Sequence, residues 1–295
     1  MQQLVDRRGF TDVKLSDPRW LAAFHTHYRL VPRYRHGRVF LAGDAAHVQS
    51  YIGGQGMNTG IQDAHNLAWK LAMVMRFSAP DWWLDSYEDE RRKVAADEVQ
   101  WTKAATEALT AHAELSSAEC RRLSEHMSIP ESERLKQRTH EEEIDLDYGQ
   151  SRLCLASTRI TAGPRVGTRA PDVPRIQVSG MDTSLLKVLG HPTFHLLLFT
   201  RSDREGPDGE LAEQVETALN THGEWLDVHV VVDPQAGPST PDLAGSILMD
   251  GTGELRRRFH GDQMRLYLIR PDGYVAFRSE HIDRLNDYLS QVQFS

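Results

Sequence analysis

Apolar and polar positions change rhythm several times along this chain. Val39 to Ala42 is an apolar run with the length of a buried strand, and Gly43-Asp44 closes it abruptly. Past the glycines at 53, 54 and 56, Met57, Ile61, Ala64, Leu67, Ala68, Leu71 and Met75 recur at three- and four-residue steps. That stripe predicts an amphipathic helix. Upstream, the alternation from Trp20 to Leu30 predicts a strand or two at a sheet edge. Beyond Pro80-Asp81, Trp82, Trp83, Tyr87, Val94, Val99 and Trp101 form the apolar side of a second long helix. Its Glu88 to Lys93 run reads as a solvated charged face, and the Trp pair as packing. Ser116-x-x-Glu119 is a capping box for a further helix that Ile129-Pro130 ends, and the charge-dense stretch from Glu131 to Asp147 reads as an exposed linker.

From Gly163 the pattern changes again. Phe194 to Phe199 and Val228 to Val232 read as buried parallel strands, and Glu210 to Thr221 between them as a helix, which makes a βαβ unit. Met264 to Ile269 and Tyr274 to Arg278 predict a hairpin around Pro271-Asp272-Gly273, and Ile282 to Val292 a closing helix. The pairs Asp208-Gly209, Asp250-Gly251 and Asp272-Gly273 read as ordinary turns.

Composition narrows the function classes. With 295 residues the chain has room for two cores, and 40% apolar with 26% charged residues is ordinary for a globular protein. A net charge of −8 argues against nucleic acid, whose phosphates need clustered Lys and Arg. Cys120 and Cys154 are the two cysteines, in no metal-like spacing, which fits a reducing cytoplasm. No apolar run reaches the ~18 residues of a membrane span. Fourteen histidines are present without a Ser/His/Asp or metal-site signature, so no metal is expected and no side chain stands out as catalytic. His25 and His27 share one face of the expected strand, and His47 reads as structural.

The order strand, acidic turn, glycine-rich loop, helix start suits an electron-rich group held against free backbone N–H groups. The wording is more specific. Gly43-Asp44-Ala45-Ala46-His47, Gly53-Gly54-Gln55-Gly56-Met57-Asn58 and Asp63-Ala64-x-Asn66-Leu67-x-Trp69-Lys70-Leu71 resemble the second flavin motif of single-component aromatic hydroxylases. Those are FAD-dependent, NAD(P)H-using monooxygenases of the phenol hydroxylase and para-hydroxybenzoate hydroxylase type. The resemblance implies that Asp44 holds the ribityl chain of FAD and that the helix start meets the flavin's pyrimidine edge. It makes Gly43, Asp44, Gly53, Gly54, Gln55, Gly56, Met57 and Asn58 the candidate cofactor residues. Tyr51 departs from the pattern, standing where the family usually has proline.

Gly167-x-Arg169-Ala170-Pro171-Asp172, Leu196 to Phe199 and Arg270-Pro271-Asp272-Gly273-Tyr274-Val275-Ala276 likewise resemble the C-terminal thioredoxin-like domain of the phenol hydroxylase branch. The loop from Thr200 to Pro207 carries no cysteine, which excludes disulfide exchange and leaves a structural or dimer-forming role.

The expected fold is therefore α/β: part of a Rossmann-like FAD-binding domain of the glutathione-reductase type, then helices, then a thioredoxin-like domain. The expected boundaries are 1–34 for the end of a substrate-domain sheet, 35–115 for the FAD-domain part, 116–162 for a helical linker and 163–295 for the last domain. The family's upstream Gly-x-Gly-x-x-Gly fingerprint for the ADP part of FAD is absent from these residues. Expectation is thus of a monooxygenase chain that by itself holds FAD weakly, acts on a phenol-like or polyketide aromatic, and forms a homo-oligomer. Phe40, Met57 and Ile61 are expected to be exposed. The alternatives are a non-catalytic remnant or dimerising module of the same family, and a longer protein whose start lies upstream.

Overall fold

In the computed structural model, the described residues are 2–7, 12–22, 25–51, 54–112, 145–156, 162–199, 209–232, 245–262 and 265–292. The expected capping box at Ser116, Cys120 and the cysteine-free loop from Thr200 to Pro207 fall outside them. The chain divides into two compact units: Met1–Asp63 with Arg92–Ile144, and Ala64–Arg91 with Asp145–Ser295.

In the first unit, helix α1 (Gln2–Arg7) precedes four two-residue strands: β1 (Arg29–Leu30), β2 (Arg35–His36), β3 (Val39–Phe40) and β4 (His47–Val48). β1 pairs antiparallel with β4, and β2 with β3 around Gly37 at φ +59°. The run at 39–42 is therefore no buried strand. Val39 is 63% exposed and pairing stops at Phe40, because two residues of a tight hairpin cannot reach a neighbouring sheet. Among the described residues between Trp20 and Leu30, only Arg29 and Leu30 form a strand, and Trp20 is 84% exposed. Met57 and Ile61 are exposed as expected, while Phe40 is partly buried.

Helices α2 (Gly56–Arg76) and α3 (Asp85–His112) run at the predicted places. In the second unit the strands are β5 (Leu155–Ala156), β6 (Pro174–Val178), β7 (Met181–Ser184), β8 (Phe194–Phe199), β9 (Leu226–Val232), β10 (Ser246–Met249), β11 (Arg265–Ile269) and β12 (Val275–Ser279). They form one sheet in the order β5-β12-β11-β8-β9-β10-β6-β7. β8, β9 and β10 are parallel, and β11–β12 is the antiparallel hairpin. Helices α4 (Leu185–Val188), α5 (Gly209–His222), α6 (Glu254–Phe259) and α7 (Asp283–Val292) complete it.

Period-two alternation splits the core of this sheet into two layers. Leu196, Leu198, Val228 and Val230 face a layer with Trp69, Trp83, Val215, Leu285 and Leu289. Leu197, Phe199 and Val231 face the other, with Leu248, Leu255, Phe259 and Tyr267. Trp83 packs edge-on against Phe194 and Trp69, and its indole donates to the Val292 carbonyl at 2.6 Å, so the Trp pair does serve packing.

Two sequence expectations are overturned in this unit. The Glu88–Lys93 run is not a solvated face: Glu90 and Arg91 are buried, at 4% and 0% exposure. Nor is Asp272 an ordinary turn residue. Arg270 donates from Nη1 and Nη2 to the two Glu90 carboxylate oxygens, each at 2.8 Å, and from Nε to Asp272 Oδ1 at 3.0 Å. Lys70 Nζ and Asn66 Nδ2 donate to Glu90 Oε2 at 2.8 and 2.7 Å, Ser151 Oγ to Oε1 at 2.5 Å, and the Trp69 indole to Asp272 at 3.0 Å. The rings of Trp69 and Tyr148 flank the Arg270 guanidinium at 5.0 and 5.2 Å. Burial pulls the Lys70 ammonium down to about 8 against the attraction of Glu90. Burial also opposes Glu90 ionisation, but Arg270 and Lys70 outweigh it and hold that carboxyl well below its ordinary range. Each charge meets an opposite one with hydrogen bonds, as a buried ion must to persist.

Candidate functional site

Asp63 organises the flavin-like motif. It lies in α2, is fully buried, and accepts the Gly43 N–H at 3.1 Å and the His47 Nε2 contact at 2.8 Å with one carboxylate oxygen. Gly43–Ala45 forms a 3-10 turn that the Ala46 N–H closes onto the Gly43 carbonyl at 2.8 Å. Gly43 sits at φ +57°, and a Cβ on Gly60 would come within 3.3 Å of its Cα. Glycine at both positions thus lets the acidic turn lie directly on the first turns of α2. The His47 ring also stacks on Tyr34, with centroids 6.4 Å apart, so its role is to brace the turn.

Asp44 projects from that turn and is exposed. Of the helix-start candidates, Gly54 is at φ +69° with open space where a Cβ would stand, and Gly56, the first residue of α2, is open in the same way. Gln55 caps the start: its carbonyl accepts the Thr59 N–H at 2.9 Å and hydroxyl at 3.0 Å, and its side chain accepts from Asn58 Nδ2 at 3.0 Å. Met57 and Asn58 are exposed. Gly53 lies outside the described residues. One turn therefore brings Gly43 onto α2, whose early N–H groups have no preceding turn to satisfy them.

This donor set fits the polar part of a flavin: a carboxylate for hydroxyl groups, N–H donors for carbonyl oxygens, and glycines that leave the approach open. The buried Gln49 amide, which has no hydrogen-bond partner among the described residues, adds an unused donor and acceptor two residues past His47. Sequence reasoning missed Gln49 and assigned no role to Asp63. A carboxylate at a buried helix position facing a Gly-Asp turn was the available signal for Asp63.

Among the described residues, no group of His, Cys, Asp and Glu could hold a metal ion, and no helix is long and apolar enough to cross a membrane.

Residues 2–102 match the FAD binding domain family model, and residues 163–293 match the model for the C-terminal domain of aromatic-ring hydroxylases. An uncharacterized aromatic compound monooxygenase, YhjG, of Bacillus subtilis (strain 168) is 39% identical over 270 residues, 90% of this chain and 45% of that protein. Pentachlorophenol 4-monooxygenase of Sphingobium chlorophenolicum is 32% identical over 272 residues, 90% of this chain and 46% of that protein. Among solved structures, aklavinone-11 hydroxylase in ternary complex with FAD and aklavinone superposes with a TM-score of 0.65 at 26% identity. The match covers 91% of this chain and 46% of that one. The chain thus spans about half the length of the curated relatives it matches. Over residues 2–102 and 163–293 it is similar to the FAD-dependent aromatic hydroxylases, through the FAD binding domain model at the first stretch and the aromatic-ring hydroxylase C-terminal model at the second.

Proposed function

We propose that this chain contributes the flavin-ring side of an aromatic monooxygenase that uses FAD, NAD(P)H and O₂ on a phenol-like or polyketide substrate. The observation that carries the reading is the Asp63-clamped turn that sets Gly43 and Asp44 against the start of α2. Asp44 would hold the ribityl hydroxyls, and Gly53 to Asn58 the pyrimidine edge. Bound there, FAD would supply the redox chemistry, taking electrons from NAD(P)H and activating O₂. The protein's part is to position ring and substrate and to exclude water. That relatives act on pentachlorophenol or bind aklavinone supports an aromatic substrate class. We read residues 35–115 as the FAD-domain part and 163–295 as a thioredoxin-like domain; most of the expected linker, 116–162, lies outside the described residues. The β8-α5-β9 unit, the β11–β12 hairpin and α7 support the thioredoxin-like reading. A cytoplasmic location rests on composition.

Among the described residues the candidate contacts amount to one carboxylate, two or three N–H groups and the Gln49 amide. A hydrogen bond is worth ~1 kcal/mol net, or ~1.5–3 with a charged partner. Millimolar binding takes about 4 kcal/mol and micromolar about 8. The isolated chain is therefore expected to lose FAD on desalting, yet to quench flavin fluorescence when titrated at high micromolar to millimolar FAD. Asp44→Ala should weaken that titration by roughly tenfold. Equal titrations for both proteins would refute the role of Asp44, and a stoichiometric flavin band after desalting would refute weak binding.

A second reading, a non-catalytic module that self-associates, draws on the exposed Trp20, Val39, Tyr51, Met57 and Ile61. Apolar surface of this kind favours association. The isolated chain is expected to sediment as a homo-oligomer at micromolar concentration, and a sharp monomer boundary would count against it.

A further inference from the structure

A cleft of about 640 Å³ opens over the starting ends of β9 and β10, beside β7 and α4, lined by residues of the C-terminal segment. None of the candidate flavin residues lines it. Its walls are apolar, with Val178, Val188, Leu219 and Leu226, and its floor carries Asp227, His229 and Ser246. The volume is that of a small-molecule site.

The floor is one end of a directed hydrogen-bond chain. His195, His229 and Ser246 lie on one face of three adjacent parallel strands. His195 Nε2 is 3.1 Å from the His191 carbonyl, which can only accept, so the proton is on Nε2. Burial keeps both imidazoles neutral, with His229 pushed down to about 4. His195 Nδ1 is then bare and accepts from His229 Nε2 at 3.0 Å. His229 Nδ1 is bare in turn and accepts the Ser246 hydroxyl at 2.5 Å. The Ser246 proton is thus committed inward, and its oxygen lone pairs are left as acceptors at the cleft. Asp227, which takes the Thr193 hydroxyl at 2.6 Å, is a second acceptor there, with its side chain 43% exposed. A ligand that satisfies such a floor brings a donor and an apolar body. Two lining carboxylates, Asp182 and Asp227, against one ammonium, Lys187, disfavour an anion.

We propose that this cleft is a second small-molecule site that takes a neutral ligand of the phenol class and reads its hydroxyl at Ser246. The inference rests on no part of the flavin assignment, and its test needs no FAD. The full chain, labelled with ¹⁵N-histidine, is titrated with 4-methylphenol and with 4-methylanisole, which has the same ring and no donor. 4-Methylphenol should shift the ring-nitrogen signals of His229 and, through the chain, His195 in a saturable way. The ether should bind several-fold more weakly. Ser246→Ala should weaken 4-methylphenol roughly three- to tenfold, the equivalent of one hydrogen bond, and leave the ether unchanged. An unchanged near-ultraviolet spectrum of the variant, to which Trp225, Tyr267 and Tyr288 of the same unit contribute, would show that its fold is intact. No saturable shift, equal affinity for the two ligands, or no effect of Ser246→Ala would each overturn the proposal.

Discussion

Glu90→Ala is expected to remove about 3–5 kcal/mol from the stability of the unit built on Ala64–Arg91 and Asp145–Ser295, because it leaves Arg270 and Lys70 buried with one carboxylate between them. The methylenes lost are a minor part of that figure. The larger part is desolvated positive charge, so removing both signs should cost less than removing one. The double variant Glu90→Ala/Arg270→Met is therefore expected to be more stable than the sum of its single changes. Urea unfolding followed by the fluorescence of Trp69, which flanks Arg270, and of Trp83, packed against Trp69, measures this directly. The same residue sets an acid limit. Its carboxyl is depressed in the folded state, so its contribution is complete above the ordinary carboxylate pKa of about 4.3. That contribution drains away as pH falls below this value. Wild-type protein should lose stability between about pH 4.5 and 3, and Glu90→Gln, already weaker at pH 7, should lose less over that window. Parallel pH slopes would show that Glu90 is not held ionised in the fold.

How far this was legible in the sequence depends on whether the pattern was local. The rhythm of α2, the β8-α5-β9 unit, the β11–β12 hairpin and α7 could be read because each is a run whose period announces its burial. The flavin-like turn was legible from its wording, and the structure adds the reason for it: Gly43 and Gly60 must touch. The Glu90–Arg270 pair was not legible. Its members stand 180 positions apart, each inside a charged or turn-like string that reads locally as solvent-facing. The strand expected at Val39–Ala42 failed for the opposite reason. Four apolar residues look like a core strand, but Gly37 folds them into a hairpin and leaves Val39 outside. The histidine chain at 195 and 229 required knowing that β8, β9 and β10 are neighbours in register, which single-strand periodicity does not show.

Gly167→Ala should be far more damaging than Gly253→Ala. At φ +87° an L side chain pays about 1–2 kcal/mol for the left-handed region. Gly253, at φ +67° with nothing within 4 Å of an added Cβ, isolates that conformational cost, so Gly253→Ala should lose about that much and no more. At Gly167 the added carbon would stand 2.1 Å from the Gly149 nitrogen and 2.4 Å from its Cα. These are backbone atoms with no rotamer to give way, and overpacking of this kind costs about 1–3 kcal/mol beyond the conformational part. Retreat is also blocked. Gly167 donates to the Val275 carbonyl and accepts from the Tyr148 N–H, each at 2.8 Å, so moving it strains β12 on one side and the Tyr148 segment on the other. Tyr148 in turn lies against the Arg270 guanidinium, which couples this backbone crossing to the buried ion network. Gly167→Ala is therefore expected to cost about 2–5 kcal/mol in urea unfolding and to alter the near-ultraviolet signal of Tyr148 and Tyr274, whose rings are in tilted contact. A loss no greater than that of Gly253→Ala would show that the 147–149 turn yields freely and that the crossing does not hold the network in place.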